Sequence, residues 1–357
     1  MITIVLTYRN RDLNIVEKCL NSLSNQSFKE FKVFLVDYGS PDKSSSALRN
    51  LVNKHHFVEL IQCPVAGQLW NKSRAINIAL KQCNTSHFLV SDIDMIYHTE
   101  FVETLNVLKL KYDVIYFQVG FLNKFESKLN KPYDDYKINF KSNKEATGIT
   151  FYNTNLLKSI NGYNEFYHGW GSEDTDVHLR LKNANKEVVY HDKKILLLHQ
   201  WHPKAYRSKN SSGPFHSNLE RINHNYMYST INNKVIVVNG NDDWGVIPNK
   251  KHYLKLTEKP NLEINIQPVD FHFSALLASF KNLNNQVVKV QINQVSAKNK
   301  LVQTAKKLFK KKHFNYLKLE TINNLLLEEI IKNYRNKPYS YYFNREKGVI
   351  NLTIYFS

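Results

Sequence analysis

The chain has 357 residues, 42% of them hydrophobic and 13% aromatic, enough apolar content to close a sizeable core and to exclude global disorder. Its formal net charge of +18 points to polyanionic partners: nucleic acid, an anionic membrane surface or phosphorylated substrates. The three cysteines, Cys19, Cys63 and Cys83, are odd in number and lack CxxC spacing, so neither a disulfide framework nor a zinc site is suggested, which fits a reducing compartment.

The first half alternates short apolar runs with helical patterns. Ile2–Tyr8, Phe31–Tyr38, Val58–Cys63, His87–Val90 and Val114–Val119 read as buried strands, rich in β-branched and aromatic residues. Leu13–Leu23, Ser44–Asn53, Leu69–Gln82 and Glu100–Leu110 carry apolar residues at helical spacing. This alternation predicts an α/β fold, a mainly parallel sheet with helices on both faces, whose ligands bind beyond the carboxyl ends of the strands.

A second block follows, from about residue 145 to 201. It holds a strand at Gly148–Tyr152, a glycine and aromatic turn at Tyr167–Gly171, a helix at Glu173–Asn183 and a last strand at Ile195–His199. Beyond residue 205 the alternation stops and the chain becomes rich in Asn and Lys, so we expect one domain over residues 1–205 and a helical and mixed extension over 206–357. Lys298–Phe314 reads as a basic amphipathic helix. Leu301, Val302, Ala305, Leu308 and Phe309 share a face, and Lys306, Lys307, Lys310, Lys311 and Lys312 lie elsewhere. It is either a helix facing the core with a solvated basic side or an attachment to anionic lipid. The N-terminus runs straight into a strand-like segment without a basic start, and no apolar run approaches the ~18 residues that span a bilayer. A cytoplasmic protein, peripheral at the inner face of the membrane, is expected.

Several strand ends carry chemistry. Asp92-Ile93-Asp94 places two carboxylates where they can converge on one hard cation such as Mg²⁺ or Mn²⁺, held together with diphosphate oxygens. His199 closes a strand and can add a neutral imidazole to that site. Gly169-Trp170-Gly171-Ser172-Glu173-Asp174 combines a tight turn with an acidic helix start: Ser172 is placed to cap the helix, and Glu173 or Asp174 to act as a general base. Thr7-Tyr8-Arg9-Asn10-Arg11 offers guanidinium groups to a diphosphate and an aromatic ring to a base. Asp37 can accept from a base N–H or a ribose hydroxyl. Trp70-Asn71-Lys72-Ser73-Arg74 opens a helix with cations that favour phosphate.

In this order the motifs resemble those of family-2-type glycosyltransferases with the GT-A (Rossmann-like) fold, nearest the β-1,4-galactosyltransferase and chondroitin-synthase-like N-acetylgalactosaminyltransferase branch. The resemblance covers roughly residues 1–203. It implies a metal-dependent inverting enzyme that takes a hexose or N-acetylhexosamine, galactose or N-acetylgalactosamine foremost, from a UDP-sugar. The acceptor would be a glycan or lipid-linked glycan. By the same resemblance Asp94 and His199 would ligate Mn²⁺ or Mg²⁺, and Asp92 would touch the ribose or a metal-bound water. Thr7, Tyr8, Arg9, Arg11, Asp37 and Arg74 would surround the nucleotide, and Trp170 would form a sugar platform. Asp174 would be the base, with Glu173 holding the acceptor. Tyr38 and Ser172 stand where the family often has Asp and Gly, and His202 offers a competing imidazole. The Asn/Lys bias is associated with bacterial surface-glycan enzymes.

Two other readings compete. A non-catalytic sugar- or nucleotide-binding module would keep the scaffold but lose one of Asp94, Asp174 or His199, and all three are present. A basic nucleic-acid-binding protein would explain the charge, but no nucleic-acid motif is found, so no nucleic-acid partner is expected.

Overall fold

The computed structural model describes residues 1–204, 213–240 and 243–357. The expected domain boundary between residues 205 and 206 lies outside them. The chain forms two compact units. The first comprises Met1–Cys63, Trp70–Ala205 and Glu220–Ile247, and the second Pro64–Leu69, Tyr206–Leu219 and Pro248–Ser357.

The strands of the first unit, in chain order, are β1 (Ile2–Tyr8), β2 (Phe31–Tyr38), β3 (Val58–Cys63), β4 (His87–Asp92), β5 (Met95–Tyr97), β6 (Val114–Phe117), β7 (Gly120–Phe121), β8 (Phe140–Lys141), β9 (Thr150–Asn153), β10 (Val189–His191) and β11 (Leu197–His199). Its helices are α1 (Leu13–Ser24), α2 (Asp42–Val52), α3 (Lys72–Gln82), α4 (Phe101–Leu108), α5 (Thr154–Ser159), α6 (Glu173–Asn183) and α7 (Leu219–Asn232).

Seven strands form the main sheet in the order β10-β6-β9-β4-β1-β2-β3, and only β9 runs against its neighbours. The expected mixed, mainly parallel α/β sheet is therefore present. Parallel strands covered on both faces read as continuous apolar runs, and all seven residues of β1 are buried accordingly. Ile2, Ile4 and Leu6 pack with Val16 and Leu20 of α1, Leu48 of α2 and Val102 of α4. α3 packs on β1 and β2 with Ala75, Ile76 and Ala79 buried outside that cluster, which puts helices on both faces.

A smaller sheet, ordered β5-β11-β7-β8, stands beside the carboxyl end of β4. Its β5–β11 pairing is antiparallel and sets Met95 opposite His199. Within the first unit, α7 packs on α6: Thr230 Oγ1 donates to Asp176 Oδ1 at 2.7 Å.

The second unit is built on β12 (Leu262–Ile266), β13 (Gln286–Asn293), β14 (Tyr339–Asn344) and β15 (Val349–Phe356), ordered β12-β13-β15-β14. Its helices are α8 (Lys250–Leu254), α9 (Asp270–Ser279), α10 (Ala297–Leu308) and α11 (Leu319–Glu329). Val288, Val290, Ile350, Leu352 and Ile354 are buried, as are Phe273 of α9 and Ile322 and Leu326 of α11. The amphipathic helix expected at 298–314 forms as α10 but ends at Leu308. It does not face a core: Leu301 is 70% exposed, Leu308 77% and Phe309 76%.

Candidate active site

The β1–β2 and β1–β4 registers bring three strand ends to one edge. Tyr8 lies opposite Asp37, and Thr7 opposite Asp92. Asp37 is buried, accepting from the Ser40 N–H at 3.2 Å and from Ser45 Oγ at 2.5 Å. Thr7 is buried, and Arg9 is half-buried. Tyr8 departs from expectation. Its ring packs in the apolar core and its hydroxyl donates to the Arg11 carbonyl at 3.1 Å, so its face is not open to stack on a base. Burial, chiefly, pushes that hydroxyl up to about 12.

Asp94, His199 and His202 converge. The β5–β11 pairing and the bond from Gln200 N–H to the Asp94 carbonyl, 2.9 Å, hold their backbones together. His202 Nε2 lies 3.1 Å from Asp94 Oδ2, and His199 Nε2 lies 3.5 Å from Asp94 Oδ1. Arg11 approaches Asp94 Oδ2 at 3.4 Å. One ligand atom from each of the three lies within 4.8 Å of the others. His202 Nδ1 donates to the Pro203 carbonyl at 3.0 Å, which fixes the ring with Nε2 toward Asp94. His199 stacks on Phe121 at 4.7 Å.

This set fits a cation. Asp94 is buried, yet its Oδ1 has no hydrogen-bond partner, a costly arrangement unless something else satisfies it. Burial alone would raise its pKa. The His199 imidazole, His202 and Arg11 outweigh burial and hold the carboxyl well below the usual range. One carboxylate and two imidazoles suit Mn²⁺ and related divalent ions.

Asp92 lies apart from that group. Its Oδ1 is 3.1 Å from Lys72 Nζ, which also lies 3.2 Å from Asp174 Oδ2 and 3.7 Å from Glu173 Oε1. The Asn71 side chain accepts from the Arg74 N–H at 2.8 Å and starts α3, which presents Lys72 at its first residue. Burial would lower the Lys72 pKa. The carboxylates of Asp174, Asp92 and Glu173 more than offset it and hold the ammonium above its usual value. For Asp174, burial is the main cause of a pKa well above the usual range. Lys72 opposes it, and Glu173 and Asp92 add to it. Gly148 closes the space between the acids: a Cβ there would stand 3.4 Å from Asp174 Oδ2 and 3.8 Å from Asp92 Oδ2.

The turn before α6 is held open by backbone that glycine tolerates. Gly169 and Gly171 have φ of 74° and 99°, and Trp170 between them is 45% exposed. Asn223 of α7 grips this turn, donating to the His168 and Trp170 carbonyls at 2.9 and 3.2 Å. Ser172 does not cap α6 through its side chain. Its φ is 74°, and it makes no side-chain cap bond. α6 is instead anchored by Asp176 and Arg180, both fully buried and 2.7 Å apart. Arg180 also donates to the Ile160 and Gly162 carbonyls at 3.0 and 2.6 Å.

The structure thus brings Asp94, His199 and Arg11 together, and separately Asp92, Glu173 and Asp174. Arg74 is buried, its Nε 3.9 Å from Glu165 Oε2. Lys72, expected only as one of several phosphate-favouring cations, is the cation that joins the three acids, one residue past the Asn71 helix cap. Nothing in the sequence marks Gly148.

Two family models match parts of the chain. Residues 3–161 match the family model described as glycosyl transferase family 2, and residues 128–201 match the one described as N-terminal domain of galactosyltransferase. Among solved structures the chain is similar to TarS 1-349 of S. aureus, at 19% identity over 56% of this chain and 60% of that one, with a TM-score of 0.43. It is similar to the complex of the same protein with UDP-GlcNAc, at 14% identity over 100% and 97% of the two chains, with a TM-score of 0.47. It is also similar to the mannosyltransferase PcManGT of Pyrobaculum calidifontis in complex with GDP-Man and Mn²⁺, at 14% identity over 93% and 86%, with a TM-score of 0.42. The chain spans 60% and 54% of the lengths of two of the TarS structures it matches. The family matches and the sheet identify the fold of the first unit as GT-A.

Proposed function

We propose that the chain is an inverting, metal-dependent glycosyltransferase that moves a hexose or N-acetylhexosamine, galactose or N-acetylgalactosamine foremost, from a UDP-sugar to a hydroxyl of a glycan or lipid-linked glycan. One observation carries this reading. A carboxylate and two imidazoles suited to a divalent cation stand just past the end of β4, and the partly buried Asp174, with a raised pKa, shares Lys72 with Asp92 at that end. The family match over residues 3–161 supports it.

Asp94, His199 and His202 would hold Mn²⁺ or Mg²⁺, and the bound ion would neutralise charge on the departing diphosphate. Arg9, Arg11, Asp37 and Arg74, with Thr7, surround the nucleotide, and Asp92 receives a ribose hydroxyl or metal-bound water. Trp170 offers an exposed ring to the sugars. Glu173 holds the acceptor. Asp174 accepts the proton of the acceptor hydroxyl as its oxygen bonds to the anomeric carbon, opposite the bond to diphosphate, which breaks and leaves with its electron pair. The product carries a β-linkage. A base with a raised pKa is matched to work near neutral pH. A lipid-linked acceptor would place the enzyme at the inner face of the membrane; no described helix is long and apolar enough to cross one.

The test is incubation with a panel of UDP-sugars and glycan acceptors, with NMR of the product anomer. A β-linked product from a UDP-sugar is expected, and an α-linked product would overturn the inverting assignment. Donor hydrolysis that no acceptor diverts would overturn the transferase reading.

A further inference from the structure

Between Asp270 and Glu320 the chain has ten lysines and no acidic residue. This stretch of the second unit contains α10 and the turn after it. The Ser296 side chain caps α10 by accepting from the Asn299 N–H at 3.3 Å. Lys310, at a φ of 54°, turns the chain at the other end, and the Lys311 N–H returns to the Lys306 carbonyl at 2.8 Å. The Phe314 N–H then donates to the Gln303 side chain at 3.0 Å, which folds the basic turn back along the helix.

The sequence alone left open which way this helix faces. Leu301, Val302, Leu308 and Phe309 are exposed, on the face from which Lys306 and Lys307 diverge. Phe314 and Phe271, 5.8 Å apart, are exposed as well. A helix with an apolar stripe in water and lysines flanking it needs a surface that is apolar below and anionic above. A second copy of the same stretch would set lysine against lysine. A nucleic acid would engage the lysines and leave Leu301, Leu308 and Phe309 in water. The acyl boundary and headgroups of an anionic bilayer satisfy both features, with lysine stems lying along the apolar layer and their ammonium groups among the phosphates.

We propose that α10 and the turn through Phe314 attach the chain to an anionic lipid surface, with the helix in the plane of the interface. This deepens the membrane part of the functional reading and is independent of its donor site.

The test is flotation of the full chain with phosphatidylglycerol/phosphatidylcholine vesicles and with phosphatidylcholine vesicles alone. The chain is expected to float at least about tenfold more with the anionic vesicles. The double variants Leu308→Asp/Phe309→Asp and Lys306→Glu/Lys307→Glu are each expected to lose at least about tenfold of that binding. All four positions are exposed, so the circular dichroism of the variants should match the parent. A dye on Leu308→Cys should shift to the blue with anionic vesicles only. A parent chain that stays in solution, or variants that float as well as the parent, would overturn the proposal. So would vesicle binding displaced by self-association through α10. Titration of UDP-sugars without lipid separates the two readings. Loss of flotation with donor binding intact removes only lipid attachment, and flotation without donor binding removes only the transferase site.

Discussion

Asp94 Oδ2 lies 3.1 Å from His202 Nε2, and the bond from His202 Nδ1 to the Pro203 carbonyl, 3.0 Å, fixes the ring in that direction. His199 reaches the other oxygen of the same carboxylate at 3.5 Å. The two imidazoles therefore reach different oxygens of one carboxylate, and in the proposed site both would serve as ligands. Asp94→Ala, His199→Ala and His202→Ala should each weaken Mn²⁺ binding by about 100-fold or more, measured by electron paramagnetic resonance of free Mn²⁺. Parent-like affinity in His202→Ala would remove it from the ligand set.

Asp174→Asn should lower turnover by about 10²–10⁴-fold, the usual contribution of a positioned base. Its effect on stability should be opposite. The folded-state pKa of Asp174 is raised, so the folded chain keeps a proton that the unfolded chain releases above its ordinary pKa of about 4. That penalises the folded state as pH rises from there toward the raised value. The variant removes the penalty, so its Tm at pH 7 should equal or exceed that of the parent. The acid limb of the parent's rate should lie above the ordinary carboxylate range, since turnover falls as pH drops through the raised pKa. A variant with full turnover, or an acid limb near pH ~4, would contradict the assignment.

Lys72 is the shared counter-charge of three acids. Lys72→Met should destabilise the fold at pH 7 by about 3 kcal/mol, because it leaves the buried Glu173 and the partly buried Asp174 without their cation. Urea unfolding at pH 7 and pH 5 checks this. The deficit should shrink at the lower pH, where Asp174, with its raised pKa, takes up a proton. Removing the ammonium also raises the Asp174 pKa further, so the acid limb of residual activity should move to higher pH. Lys72→Arg should restore most of the stability.

Arg180→Met should cost about 3–5 kcal/mol, since it leaves Asp176 buried and charged without its partner. For a chain of this size that corresponds to a Tm loss on the order of 10 °C. Replacing both Asp176 and Arg180 by apolar residues should recover part of it. A double variant no more stable than the single one would show that the bonds from Arg180 to the Ile160 and Gly162 carbonyls matter more than the pair.

The parallel sheet was legible because buried strands such as Ile2–Tyr8 and helices such as Leu13–Ser24 announce themselves by period. The cation group was half legible. Asp94 lies in the turn just past β4 and His199 closes β11, places the sheet reserves for ligands, whereas the joint use of His199 and His202, read from sequence as competitors, required the path of the chain after β11. The role expected of Tyr8 failed because strand alternation turns its ring into the core. The Ser172 cap failed because the turn holds this residue at φ of 74°, outside the extended backbone from which a side chain caps a helix. Asp92, Glu173 and Asp174 read as site acids, but the cation joining them is on α3, twenty residues before Asp92. Such long-range meetings leave no local pattern. The exposed apolar face of α10 could not be read from periodicity, which reports a face and not what lies against it.

The most direct test of the central claim is calorimetric titration of a panel of UDP-sugars, with and without Mn²⁺, into the parent chain and Asp94→Ala. One UDP-sugar is expected to bind the parent in the presence of Mn²⁺, with binding lost when either the ion or the Asp94 carboxylate is removed. Failure of every UDP-sugar to bind with Mn²⁺ present, or equal binding by Asp94→Ala, would contradict it.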